Sequence, residues 1–124
     1  MDHEAALLKA LADPTRLRLA VLLARRGETC VCRLVEALDM PQSSVSRHLA
    51  VLRNSGLVEA RREGTWMHYR LASPTSRFEK CLHVCFGDCL TDNETARRDL
   101  ARLAAECCAS PEPAACKAKR LRVL

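Results

Sequence analysis

Pro41-Gln42-Ser43-Ser44-Val45-Ser46-Arg47-His48-Leu49 is the stretch whose reading decides the fold. Proline suits the start of a helix, where its missing N–H would have no partner in any case. Val45, Leu49, Val51 and Leu52 follow at a spacing that turns them to one side, while Gln42, Ser43, Ser46 and Arg47 stay polar. The helix stops before Asn54-Ser55-Gly56, because Gly56 suits a left-handed cap. Just upstream, Thr29 is placed to cap a shorter helix, Cys30 to Leu38, whose Val31, Leu34, Val35 and Leu38 recur with helical period. Asp39-Met40-Pro41 joins the two. A pair of short helices with a tight link, the second polar at its start, predicts a helix-turn-helix.

Working outward, Leu57 to Arg62 and Thr65 to Leu71 read as strands about a Glu63-Gly64 turn, which makes a two-stranded wing. Toward the N-terminus, Leu7, Leu8, Leu11 and Ala12 form a helical stripe that Asp13-Pro14 interrupts. Asp13 caps the next helix, whose Leu17, Leu19, Val21, Leu22 and Leu23 run on to Gly27. After Ala72-Ser73-Pro74 the pattern is helical again, with Phe78, Leu82 and Cys85 along one side. Thr91-Asp92-Asn93-Glu94 resembles a capping box that opens a last helix to about Cys107, with one long kinked helix as the alternative. The prediction is a mainly α, dimeric winged helix-turn-helix over 1–108, with N- and C-terminal dimerisation helices. Residues 109–124, with Pro111, Pro113 and the basic run Lys117 to Arg122, read as a flexible cysteine-containing tail.

Composition agrees. A chain of 124 residues, 48% hydrophobic but 3% aromatic, builds one aliphatic core, which suits helices better than a β-sandwich. The net charge of +5 favours a polyanionic partner through counterion release. Eight cysteines without an apolar run of membrane-spanning or leader length point to a cytoplasmic protein that uses thiols as ligands or redox groups. A thiol oxidoreductase is disfavoured, since the pair is Cys-x-Cys and no βαβ pattern surrounds it, and no enzyme activity is expected.

At the start of a reading helix side chains meet base edges, so Gln42, Ser43, Ser46, Arg47 and His48 are the candidate contacts to double-stranded operator DNA. Arg61 and Arg62 on the wing, with Thr65 and His68 nearby, would add sequence-blind phosphate or minor-groove contacts.

Residues 7–71 resemble the ArsR/SmtB family of small dimeric winged-helix repressors. The resemblance rests on Leu11-Ala12-Asp13-Pro14-Thr15-Arg16-Leu17, Cys30-Val31-Cys32, Ser43 to Leu49 and Gly56-Leu57-Val58. Within the family, Glu28 to Cys32 is most similar to arsenic and antimony sensors. The resemblance implies a non-enzymatic homodimer that leaves its operator when As(III) or Sb(III) binds cysteine thiolates. Soft thiolates without a neighbouring His or carboxylate select such a centre, and a helix N-terminus favours the thiolate of Cys30. Two residues apart on that helix means about 200° of rotation, so Cys30 and Cys32 point away from each other, and binding both to one small centre must distort the first turn.

Arsenic sensors of this type often carry a third cysteine where this chain has Val35. Cadmium and lead sensors of the family share Cys-Val-Cys but add cysteines at the N-terminus, and here none precedes Cys30. A second thiol set, Cys107, Cys108 and Cys116, resembles C-terminal arsenic or antimony sites in other branches. Cys116 would reach its own pair or that of a dimer partner, or the tail would lend a third thiol to Cys30 and Cys32. Cys81, Cys85 and Cys89 recur every four residues and read as a buried stripe at a dimer interface. A thiol-redox sensor and a cadmium- or lead-responsive repressor of the same fold are the alternatives.

Overall fold

The computed structural model describes residues 1–105. Helices α1 (Asp2–Leu11) and α2 (Pro14–Arg26) come first, then a short strand β1 (Thr29–Cys30) and helices α3 (Val31–Leu38) and α4 (Gln42–Asn54). A hairpin, β2 (Val58–Glu63) and β3 (Trp66–Leu71), leads to α5 (Arg77–Val84), which runs into a π-helical turn (Cys85–Cys89), and to α6 (Glu94–Ala105).

Helix α2 is the centre. Leu19, Ala20, Val21, Leu22 and Leu23 are all buried, so the helix has core on most sides. Its start follows from Asp13, whose Oδ2 accepts from the backbone N–H groups of Thr15 (2.9 Å) and Arg16 (3.2 Å). Its end follows from Gly27 at φ 77°, a conformation that side chains with a Cβ rarely adopt. Helix α4 docks on α2 and α3 through Val45, Leu49 and Leu52, each fully buried. Val51, expected to face inward, is 38% exposed, because one residue is about 100° of turn and carries it off the buried stripe.

The hairpin turns through Gly64-Thr65, with Glu63 opposite Trp66 and φ 65° at Gly64. A positive φ at the first of two loop residues matches the twist of the strands.

Three expectations are corrected. Thr29 does not cap α3: it pairs in β1 with Tyr69 of β3, its hydroxyl donates to the Gly27 carbonyl (2.8 Å), and the sheet becomes three-stranded in the order β1-β3-β2. Asn93, not Thr91, caps α6, its Oδ1 accepting from the Ala96 N–H (3.1 Å), while the Thr91 hydroxyl turns back to the Asp88 carbonyl. Phe86, not Cys85, completes the inner row with Phe78 and Leu82, and Cys81, Cys85 and Cys89 are exposed beside it.

Candidate functional site

Gln42, Ser43, Ser46 and Arg47 occupy the first turn and a half of α4: Ser43 and Arg47 point away from the buried Val45, Leu49 and Leu52, while Gln42 and Ser46 border that stripe and are half-buried. Ser43 and Arg47 are exposed, and the Arg47 guanidinium donates to the Ser44 hydroxyl (3.4 Å). His48 sits on the inner flank. Its Nδ1 lies 3.3 Å from the Arg16 guanidinium and 3.8 Å from the Asp13 carboxylate, so it ties the reading helix to the start of α2.

The wing arginines part company, because successive side chains of a strand point to opposite faces. Arg62 stands opposite Met67, is exposed, and makes no ion pair among the described residues. Arg61 stands opposite His68 on the other face and is held by two carboxylates. Its Nε donates to Glu28 Oε2 (3.1 Å), its Nη2 donates to the same oxygen, and its Nη1 donates to Glu63 Oε1 (3.2 Å). Hydrogen bonding to Arg61 holds the Glu28 carboxyl below its usual range, and Glu28 in turn raises the guanidinium. On the same face Arg70 pairs with Glu59 (2.9 Å), and His68 Nε2 lies 3.5 Å from Glu63.

Cys30 and Cys32 meet. Cys30 is the N-cap of α3 with extended backbone (φ −67°, ψ 142°), so the 200° separation expected of two helical residues does not arise. The two Sγ atoms are 3.0 Å apart, both side chains are buried, and Trp66 packs against them. The requirement that binding distort the first turn of the helix is therefore withdrawn: Cys30 is already outside it. Cys30 pairs with His68 of β3, and His68 with Arg61 of β2, so ligand and wing cation share one row across the sheet.

Helix α6 lies along α3. Arg33, next to Cys32, donates to the Leu103 carbonyl (3.0 Å), and Arg102 reaches the Ala37 carbonyl (3.5 Å). Cys107, Cys108 and Cys116 lie outside the described residues. Among the described residues no three His, Cys, Asp or Glu side chains converge as metal ligands. The Cys85 thiol is pushed up by desolvation, then by its hydrogen bond to Cys89 and the charges of Cys89 and Cys81, which disfavours the thiolate that would bind. Glu28, which holds Arg61, and Trp66, which packs on the cysteines, carry no motif of their own in the sequence. The alternation of Glu28 with Cys30, and of Trp66 with His68, carried the signal once β1 was known to be a strand.

A helix-turn-helix with a wing, and a buried pair of cysteine sulfurs where the short strand paired with the wing passes into the first of the two helices, define a DNA-binding regulator scaffold. Residues 13–60 match the family described as "Bacterial regulatory protein, arsR family", and this chain belongs to the ArsR family. It is 56% identical over 66 residues to the arsenical resistance operon repressor of Escherichia coli (strain K12), covering 53% of this chain and 56% of that protein. It is 48% identical over 68 residues to the uncharacterized HTH-type transcriptional regulator MJ1325 of Methanocaldococcus jannaschii, covering 55% of this chain and 76% of that one. Among solved structures, the homodimeric winged helix-turn-helix domain Mb0332 of Mycobacterium bovis, a possible ArsR-family transcriptional regulator, superposes with a TM-score of 0.58 at 39% identity, over 68% of this chain and 72% of that chain. The match spans about half the length of the first arsenical-resistance relatives, 56% and 49%. No described helix is long and apolar enough to cross a membrane.

Proposed function

We propose that this protein is a cytoplasmic, homodimeric transcriptional repressor that releases operator DNA when trivalent arsenic or antimony binds its cysteines, and that it catalyses no reaction. The observation that carries the reading is the approach of Cys30 and Cys32 Sγ atoms to 3.0 Å at a helix N-terminus, where the strand paired with the wing passes into α3. Two adjacent soft sulfurs suit a thiophilic centre better than a hard cation. Similarity to arsenical resistance repressors supports the same ligand class, and the homodimeric relative supports assembly in pairs. Exposed Leu8 on α1 (50%) and Val84 on α5 (54%) offer apolar surface for that contact.

In this reading Gln42, Ser43, Ser46 and Arg47 face the bases, with Arg47 suited to guanine and Gln42 to adenine. His48 positions α4 from behind. Arg62 takes a phosphate, and Arg61 does so once Glu28 gives it up. Cys30 and Cys32 supply two thiolates. A third comes from Cys107, Cys108 or Cys116, which follow α6 in the chain, and Arg33 holds the Leu103 carbonyl of α6 one residue from Cys32. We further propose 1–108 as the folded unit and 109–124 as a tail.

Gel shifts at fixed salt with arsenite or antimonite test the reading. The wild type is expected to release DNA, Cys30→Ser/Cys32→Ser to stay bound, and Cys107→Ser/Cys108→Ser/Cys116→Ser to need more metalloid. DNA binding that neither ion weakens would overturn the inducer assignment, and loss of binding to mild peroxide alone would favour the redox alternative.

A further inference from the structure

Arg61 is the wing cation most constrained by its own protein. All three of its guanidinium nitrogens are taken by carboxylates, two by Glu28 and one by Glu63, whereas Arg62 beside it has no ion pair among the described residues. Glu28 is neither on the wing nor on the reading helix. It precedes β1 by one residue and stands two residues before Cys30 on the same side of the chain, so its carboxylate reaches across β3 to β2. The pair is partly exposed, with Arg61 at 52% and Glu28 at 32%, so a phosphate oxygen has access to the guanidinium and the two acids exchange at small cost.

We propose that Glu28 competes with DNA phosphate for Arg61, and that the thiol site acts on the wing through this competition. The second clause rests on the metalloid reading above; the first does not. Free of ligand, the Glu28–Cys32 segment can swing its carboxylate away, and Arg61 goes to the backbone of the duplex. With Cys30 and Cys32 held to one centre, that segment is immobilised and Glu28 retains Arg61. The wing then loses one phosphate contact.

The test is a double-mutant cycle on metal-free protein with a mixed-sequence DNA duplex, which suffices because a phosphate contact is blind to sequence. Glu28→Gln is expected to tighten binding about two- to fivefold and to steepen the dependence of log K on log salt by about 0.9. In an Arg61→Gln background the same change is expected to leave the slope unaltered. Glu59→Gln, which removes an equal charge from the same face but pairs with Arg70, reports any nonspecific gain. An effect of Glu28→Gln that is equal in both backgrounds, or equal to that of Glu59→Gln, would overturn the competition. With antimonyl tartrate added, the wild type is expected to lose about one unit of salt slope and Glu28→Gln to keep it, while Trp66 fluorescence shows both taking up antimony alike. If both take it up and both lose the same slope, the link to the thiol site fails. If the wild type takes up no antimony at Cys30 and Cys32, the functional reading fails and the metal-free cycle decides the competition alone.

Discussion

Cys30 occupies the one backbone position where strand becomes helix, and its usefulness as a ligand follows from that. In the helix its sulfur would turn away from Cys32; at the N-cap, with extended φ and ψ, it comes to 3.0 Å. Trp66 closes this site and is the sole tryptophan of the chain. Its emission is therefore a specific reporter: antimonite is expected to change it in the wild type and to leave it unchanged in Cys30→Ser/Cys32→Ser. An equal change in both would place the binding elsewhere. Arg61 and Arg62 teach the same lesson in reverse. Adjacent in sequence and alike in charge, they differ because a strand sends neighbours to opposite faces, one toward Glu28 and Glu63 and the other toward solvent.

Helices α2 and α6 are joined at the scale of elements by one buried polar contact. Arg18 grips Asp99 with two hydrogen bonds, Nε to Oδ2 at 2.8 Å and Nη2 to Oδ1 at 2.9 Å, and Asp99 is only 1% exposed. The Asp99 hydrogen bond raises the guanidinium from its ordinary value, with burial working against it. Removing one partner strands the other, so Asp99→Ala is expected to cost about 2–3 kcal/mol, less than a fully buried pair because Arg18 keeps some water. Urea unfolding followed by circular dichroism measures it; a loss below about 0.5 kcal/mol, typical of surface changes, would make the contact incidental. The π turn at Cys85–Cys89 has its own consequence, since it brings Phe86 into the core beside α2 and leaves the cysteines outward.

Across the whole molecule, the first helix is strapped to the fifth through Glu79. Its carboxylate accepts from His3 Nε2 (2.8 Å), the Thr75 N–H (3.0 Å) and the Thr75 hydroxyl (3.0 Å), and is nearly buried. The His3 contact first, then the Thr75 N–H, lowers the Glu79 carboxyl from its ordinary value. A lowered folded pKa means that the stabilisation is present above the unfolded value, about 4.3, and is lost as pH falls through the folded one. The urea midpoint of the wild type is therefore expected to drop below about pH 4.5, and that of Glu79→Gln to start lower and fall less over the same interval. Parallel acid limbs would remove Glu79 from the account. Because α1 and α5 also carry the exposed Leu8 and Val84, loss of this strap is expected to weaken self-association in the same pH range, read by sedimentation.

Much was determined by the sequence alone, wherever a signal is local. Asp13-Pro14 and Gly27 bound α2, Val45, Leu49 and Leu52 orient the reading helix, and Gly64 makes the hairpin, since caps, helical period and positive φ depend on a few neighbouring residues. The family resemblance, carried by short contiguous motifs, was legible for the same reason. What only the tertiary structure decided is long-range. Two residues, Thr29 and Cys30, form a strand because β3 stands ready to pair with them, and a two-residue strand has no period to read. That single pairing took Cys30 out of the helix, set it against Cys32 and Trp66, and aligned it with Arg61. Local propensity favoured a helix cap at Thr29; hydrogen bonds to a strand about forty residues away outweighed it.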